Sequence, residues 1–293
     1  MTSNRRRIGA REFDFDRQVA VMAVINRTPD SFYDRGATFA LDAAVASALA
    51  AAEQGADWVD IGGVPFGRGP AVSIGEEIDR VVPVVEAIVA ASDVVVSVDT
   101  YSSDVARAAI AAGAGVINDT SGLADAQMAG VVAASDAQLV ITHSVGPPRT
   151  EKPAAHYDDV VTEVIAFLQE RVDRAEAAGI PRDRLIVDPG HDLDKNTLHS
   201  LELTRRFDEL GMLGLPLLAA VSNKDFVGES IDADQGARLE GSLAAMVVCI
   251  MKGARIVRMH DVQPSVGAVR MTEAILGLRE PQRLEHNAQE WNV

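Results

Sequence analysis

The chain contains eight short apolar runs: Val19–Ile25, Trp58–Ile61, Val94–Val98, Val116–Ile117, Leu139–Thr142, Leu185–Val187, Leu217–Val221 and Ile256–Met259. Each has a polar residue at or beside its end, in chain order Asn26, Asp60, Asp99, Asn118, His143, Asp188, Ser222 and His260. Continuous runs this short and this rich in Val, Ile and Leu suit strands buried on both faces. A polar residue at each end then places eight reactive groups at one end of a single sheet.

Between the runs lie alanine-rich stretches with helical spacing, such as Leu41–Gln54, Ile74–Ala91, Asp104–Ala112, Tyr157–Ala178, Leu198–Leu210 and Gly236–Lys252. Four of these stretches stop at or next to a glycine, Gly55, Gly113, Gly179 or Gly253, where a left-handed cap ends a helix. Ser73 and Glu76 are spaced as a capping box, and Pro83 is expected to bend that helix or end its first half. Eight strand–helix units in 293 residues fit a (β/α)8 barrel with its chemistry at the strand C-terminal ends. The alternative is an open doubly wound sheet, but no Gly-x-Gly-x-x-Gly follows the first strand.

A chain with 47% hydrophobic residues builds this core without a second domain, and no internal linker is visible. Residues 1–18 read as a flexible N-terminal tail, 19–280 as the barrel and 281–293 as a C-terminal tail. The net charge of −16 repels nucleic acid and anionic membranes, so a phosphate ligand needs a local cationic cluster. Small molecules are the natural partners. The single cysteine, Cys249, lies in an apolar helical stretch and excludes an intrachain disulfide, which suits a reducing cytoplasm. Arg5–Arg7 are not followed by the apolar segment of an export signal, and no run reaches the length of a membrane span.

Asp99, Asn118, Asp188 and Lys224 lie at or just after the ends of the third, fourth, sixth and seventh strands and converge on one rim. A carboxylate and amide set accepts from an amino-pyrimidinone edge while a lysine donates to its carbonyl or ring nitrogen. Each position also suits a helix N-cap. Arg258 and His260, two apart in extended chain, point the same way and suit a pyrophosphate. The plainer reading pairs Arg258 with an acid and packs His260 in the core. The loop 26–36 has the composition of a lid, and Asn26 offers an oxygen to Mg²⁺, which takes its other ligands from water and substrate phosphates. His143 either lines the pocket or packs behind it. His191 and His199 lack a second ligand at zinc spacing. Glu76–Asp79 reads as a solvated helix face, and Trp58 as core or interface.

Taken in order, Asn26–Phe32, Val98-Asp99-Thr100, Ile117-Asn118-Asp119, Asp188-Pro189-Gly190, Ser222-x-Lys224, Arg238-Leu239-Glu240-Gly241-Ser242 and Arg258-x-His260-Asp261 resemble the dihydropteroate synthase family over residues 19–278. The resemblance implies a homodimeric (β/α)8 transferase that joins p-aminobenzoate to 6-hydroxymethyl-7,8-dihydropterin pyrophosphate. It further implies that Asp99, Asn118, Asp188 and Lys224 hold the pterin, that Arg258 and His260 hold the pyrophosphate, and that Asn26 binds the Mg²⁺ cofactor. Asp30 and Ser31 of the first loop join Lys224 as catalytic residues. The implied mechanism is dissociative, with pyrophosphate leaving before the amine attacks, and it rests on positioning and electrostatics.

Departures cluster on the acceptor side. The family pattern Gly-Gly-Glu-Ser-Thr-Arg-Pro-Gly becomes Gly62-Gly63-Val64-Pro65-Phe66-Gly67-Arg68-Gly69, with Phe66 at the threonine, Gly67 at the arginine, and Arg68 one residue late as the remaining candidate pyrophosphate cation. The pattern Asp-Pro-Gly-x-Gly-Phe-Gly-Lys becomes Asp188–Lys195, with Leu193 at the aromatic position and Asp192 and Asp194 as added acids. Ser222-Asn223-Lys224-Asp225 loses an arginine and gains an acid. Phe66, Leu193 and Ser222 thus define the altered acceptor side. If the added acids face the pocket, each changes binding by about 1 kcal/mol or more, roughly ten- to a thousandfold together.

These substitutions resemble the divergent second copies of the synthase in some actinobacteria. Three readings follow: a working synthase; a pterin binder with little catalysis or with a less anionic acceptor; and a methyltetrahydrofolate-binding methyltransferase. Lys224 and Arg258-x-His260 argue against the third, whose methyl donor brings no pyrophosphate.

Overall fold

The computed structural model describes residues 4–26, 37–64, 71–145 and 156–286, with backbone alone at 26 and 37–40. A two-stranded antiparallel hairpin, β1 (Arg5–Ile8) and β2 (Arg11–Asp14), comes first. Eight parallel strands follow: β3 (Ala20–Asn26), β4 (Trp58–Gly62), β5 (Val95–Asp99), β6 (Val116–Asp119), β7 (Gln138–Thr142), β8 (Leu185–Asp188), β9 (Leu217–Ala219) and β10 (Ala254–Met259). They close into a barrel when β10 pairs with β3. This is the (β/α)8 architecture expected from the apolar runs.

Nine α-helices lie among the described residues: α1 (Ala37–Glu53), α2 (Ile74–Ala91), α3 (Ser103–Ala111), α4 (Met128–Ala133), α5 (Val160–Ala177), α6 (Thr197–Arg205), α7 (Asp225–Ile231), α8 (Leu239–Met251) and α9 (Val262–Ile275). The expected helix around Leu198–Leu210 divides at Arg206 into α6 and a 3₁₀ segment, Phe207–Leu213. Gly55, Gly113, Gly179 and Gly253 have φ between 99° and 108°, so all four take the left-handed stop their positions predicted. Ser73 caps α2 by accepting from the Glu76 amide. Pro83 does not end α2, which runs unbroken to Ala91. Val81, Val84, Val85 and Ile88 on both sides of the proline are buried, and this packing outweighs the lost amide.

Period two divides the strand residues between two cores. One set packs outward against the helices, with Val21, Val59, Val96, Ile117, Leu139, Val187 and Val257 among its members. The other set, Ala20, Met22, Trp58, Val95, Val116, Val140, Ile186, Leu218 and Ile256, fills the barrel interior with Ile8, Phe13 and Phe15.

Those last three residues correct the expectation of a flexible tail for the described residues 4–18 of the span 1–18. Phe13 and Phe15 stack at 5.8 Å and meet the Trp58 ring nearly edge-on, Phe13 at 5.7 Å. Arg6 donates to the Leu185 carbonyl at 2.8 Å, and Arg11 pairs with Asp57 at 2.8 Å. The alternation Arg6/Ile8 and Arg11/Phe13/Phe15 brings rings inward only once a barrel end exists to receive them, which composition does not reveal. The same aromatic contacts make Trp58 a core residue.

Candidate active site

At the C-terminal end of the barrel the period-two alternation that fills the interior with apolar residues switches to charge. Trp58 is followed two residues on by Asp60, Val95 by Ser97 and Asp99, Val116 by Asn118, Ile186 by Asp188, and Ile256 by Arg258 and His260. Cross-strand register sets Asp60 beside Ser97 and Asp99 beside Asn118.

Asp60 is the hub. Fully buried, it accepts from Ser97 Oγ at 2.6 Å, Asn118 Nδ2 at 3.0 Å and Arg258 Nε at 2.6 Å. Arg258 spans to a second acid, its Nη2 lying 3.2 Å from Asp99. Asp99 also accepts from Thr120 Oγ1 at 3.1 Å. Burial pushes the Asp99 carboxyl up to about 7, Arg258 opposes the shift, and the Asp60 charge adds to it. The same burial raises Asp188, whose Oδ1 accepts from the Gly190 amide at 2.7 Å, and lowers Lys224.

A carboxylate can only accept, so Asp60 fixes the Asn118 amide with its nitrogen inward. Asn118 Oδ1 is then buried without a hydrogen-bond partner. Folded proteins leave few such acceptors, and one amid raised carboxylates and a lowered lysine is a place where a ligand donor completes the set. None of the four expected pterin residues caps a helix through its side chain. Asp99 and Asn118 bond across the barrel, Asp188 closes its own loop, and Lys224 stands at the N-cap of α7 without a side-chain cap bond.

The structure brings Asp99, Asn118, Asp188, Lys224, Arg258 and His260 to one rim. Ser222, expected on the acceptor side, lies against His260: its Oγ accepts from the His260 amide at 3.1 Å and sits 3.0 Å from Nδ1. Leu193 is buried in the loop after β8. Asn26 is in register with Gly62 at the end of β3. The Asn26 side chain, Asp30, Ser31, Phe66, Gly67 and Arg68 lie outside the described residues.

Three groups were missed or misread from sequence. Asp60 was left out of the site, although an acid inside the apolar run Trp58–Ile61 signals a buried partner. Glu77, read as part of a solvated face, is 3% exposed and accepts from Thr100 Oγ1 at 2.7 Å, which anchors α2 beneath the Asp99 strand end. Lys195, also buried, donates to the Gly190 and Leu193 carbonyls at 3.0 and 2.9 Å and sits 2.7 Å from His143 Nδ1. Burial pushes its amine down to about 7. His143 therefore packs behind the pocket wall. Gly190 is required there, because a Cβ would collide with the His143 carbonyl.

The added acids are engaged with protein partners. Asp192 accepts from Ser200 and Phe226, Asp194 from Ser144 and Val145, and Asp225 pairs with Arg238 at 2.9 Å while largely exposed.

The model of the pterin-binding enzyme family matches residues 22–260 of this barrel. The chain is 46% identical to the inactive dihydropteroate synthase 2 of Mycobacterium leprae, over 92% of its own length and 94% of the relative's. It is 40% identical to the dihydropteroate synthase of Escherichia coli over 90% and 94%. A structure of the Xanthomonas albilineans dihydropteroate synthase with 4-aminobenzoic acid superposes with a TM-score of 0.87 at 41% identity, covering 94% of this chain and 99% of that one. The chain belongs to the dihydropteroate synthase family of pterin-binding transferases.

Proposed function

We propose that this protein binds 6-hydroxymethyl-7,8-dihydropterin pyrophosphate and transfers its pterin methylene to p-aminobenzoate. The observation that carries the reading is the unpartnered, buried Oδ1 of Asn118, whose Nδ2 is held by Asp60 and whose strand position is in register with Asp99. Asp99, Asn118 and Asp188 accept from the pterin's amino and ring NH groups, and Lys224 donates to its carbonyl or ring nitrogen. Arg258 uses the guanidinium NH groups left over from Asp60 and Asp99, together with His260 and Arg68, to hold the pyrophosphate. The methylene C–O bond breaks with its electron pair leaving on pyrophosphate, the aromatic amine forms the new C–N bond, and the amine then loses a proton. No nucleophilic side chain is needed, because positioning and fixed charge lower the barrier. Asp30 and Ser31 of the first loop join Lys224 as catalytic residues, and Phe66, Leu193 and Ser222 shape the acceptor side.

Among the described residues no cluster of three His, Cys, Asp or Glu suits a metal. Asn26 would hold Mg²⁺, which would help to neutralise leaving-group charge. Homodimerisation is supported by the half-exposed apolar Val248 and Met251 on α8 and Met271 and Ile275 on α9. The lone, buried Cys249 accords with a cytoplasmic location.

A second reading, pterin binding with little or no synthase turnover, is favoured by the rebuilt 62–69 loop and by the inactive mycobacterial relatives. Mass spectrometry of dihydropteroate formed from the pterin pyrophosphate, p-aminobenzoate and Mg²⁺ separates the two. Sustained product supports the synthase, and its absence from folded protein leaves the binder. Asp99→Ala and Lys224→Ala are each expected to abolish pterin binding with the barrel intact, and unchanged affinity in either rejects the pocket assignment.

A further inference from the structure

Asp192 and Asp194 both sit in left-handed backbone, with φ of 62° and 54°. Glycine takes that region without penalty, and aspartate is among the few other residues that tolerate it. Their carboxylates face different neighbours. Asp194 Oδ2 accepts from the Val145 amide at 2.6 Å and Ser144 Oγ at 3.1 Å, which ties the loop to the segment after β7. Asp192 Oδ1 accepts from Ser200 Oγ on α6 at 2.8 Å, while Oδ2 accepts from the Phe226 amide in the first turn of α7 at 3.2 Å. Lys224, at the N-cap of α7, makes no side-chain cap bond, so Asp192 caps that helix from the neighbouring loop. Asp192 also acts on Lys224 more strongly than Asp188 or Asp99 does. Asp188, Asp99 and Arg258 of the pterin and pyrophosphate set also bear on Lys224, as do His260 and the buried Lys195.

We propose that Asp192 determines the charge class of the acceptor: by capping α7 beside Lys224 it fixes a negative charge next to that cation and favours a neutral aromatic amine over an aminobenzoate anion. The inference rests on the pterin-pocket reading given above. Asp194, bonded to the segment after β7, is a positioning residue for its own loop, and its charge bears on Lys195.

Isothermal titration of the full chain, pre-equilibrated with 6-hydroxymethylpterin, pyrophosphate and Mg²⁺, compares p-aminobenzamide with p-aminobenzoate. The wild type is expected to bind the amide at least as tightly as the carboxylate. Asp192→Asn keeps an acceptor for the Phe226 amide and removes the charge, so p-aminobenzoate binding should tighten about tenfold, near 1.4 kcal/mol, with the amide unchanged. Asp192→Gly, at ease in the same backbone, should shift the ratio in the same direction, and Asp194→Asn should leave it unaltered. A tenfold wild-type preference for the carboxylate, or an equal ratio in wild type and Asp192→Asn, overturns the proposal. Titration of 6-hydroxymethylpterin alone separates the two levels. No pterin binding removes the pocket reading and the inference with it, whereas pterin binding with an unmoved ratio removes the inference only.

Discussion

Along β5 the residues of the inner face run Val95, Ser97, Asp99, and along β10 they run Ile256, Arg258, with His260 just beyond it, so each strand passes from apolar to charged toward its C-terminal end. At the hairpin end, rings fill the interior: Phe13, Phe15 and Trp58 are each no more than 2% exposed. At the other end, three acids, an arginine and a lysine share a small volume, and two buried polar atoms, Asn118 Oδ1 and Thr142 Oγ1, lack a partner. Dispersion and water exclusion stabilise the first arrangement by themselves. The second is held in place by the first and keeps desolvated charges that a ligand can complete. The contrast separates the part of the barrel that stabilises from the part that recognises.

Removing the hub should test this division most severely. Asp60→Ala leaves the Arg258 guanidinium buried without its main partner and is expected to cost about 3–5 kcal/mol in urea denaturation. A loss below about 1 kcal/mol would show that the upper layer is solvated and that the contrast is overstated. At the opposite end, Phe13→Ala should cost about 3 kcal/mol through the cavity it leaves, with the pterin affinity of the folded protein unchanged. Weakened pterin binding in that variant would mean the two ends are coupled.

A smaller change is expected on the acceptor side. Phe66→Thr combined with Gly67→Arg should improve p-aminobenzoate binding about tenfold, roughly 1.4 kcal/mol, if the 62–69 loop is the principal defect. No gain shifts attention to Asp192. The finest distinction is in pH. Asp99, held at about 7 against an ordinary value of 3.8, binds a proton in the folded state that the unfolded chain has already released. Its contribution to stability therefore declines as pH rises from about 4 through 7 and is level above that window. The difference in urea midpoint between wild type and Asp99→Asn should follow this course. A flat difference would mean that Asp99 stays ionised beside Arg258.

The barrel was legible because buried parallel strands impose continuous apolar runs and left-handed helix ends impose glycine, as at Gly55, Gly113, Gly179 and Gly253. The rim residues were legible because strand ends are short in sequence and the motifs repeat in order. Asp60 was legible as a polar residue near a strand end but not as the hub, because one acid within a four-residue run has the same spelling whether it faces a helix or an arginine 198 positions away. Glu77 was misread for a related reason: helical periodicity marks which residues share a face, whereas the neighbour that covers the face, here Thr100, comes from the loop after β5.

The sequence by itself determined the strand–helix alternation, the single core, the family and the set of polar residues at the strand ends. Those properties follow from local backbone preference and from apolar residues seeking burial. Only the tertiary structure decided that residues 5–15 plug the barrel, that Asp192 and Asp194 bind backbone amides instead of lying free in the pocket, and that Asn118 is left with an unpaired oxygen. Each of those outcomes depends on hydrogen bonds between segments remote in the chain, whose partners are fixed only when barrel closure sets the register between strands.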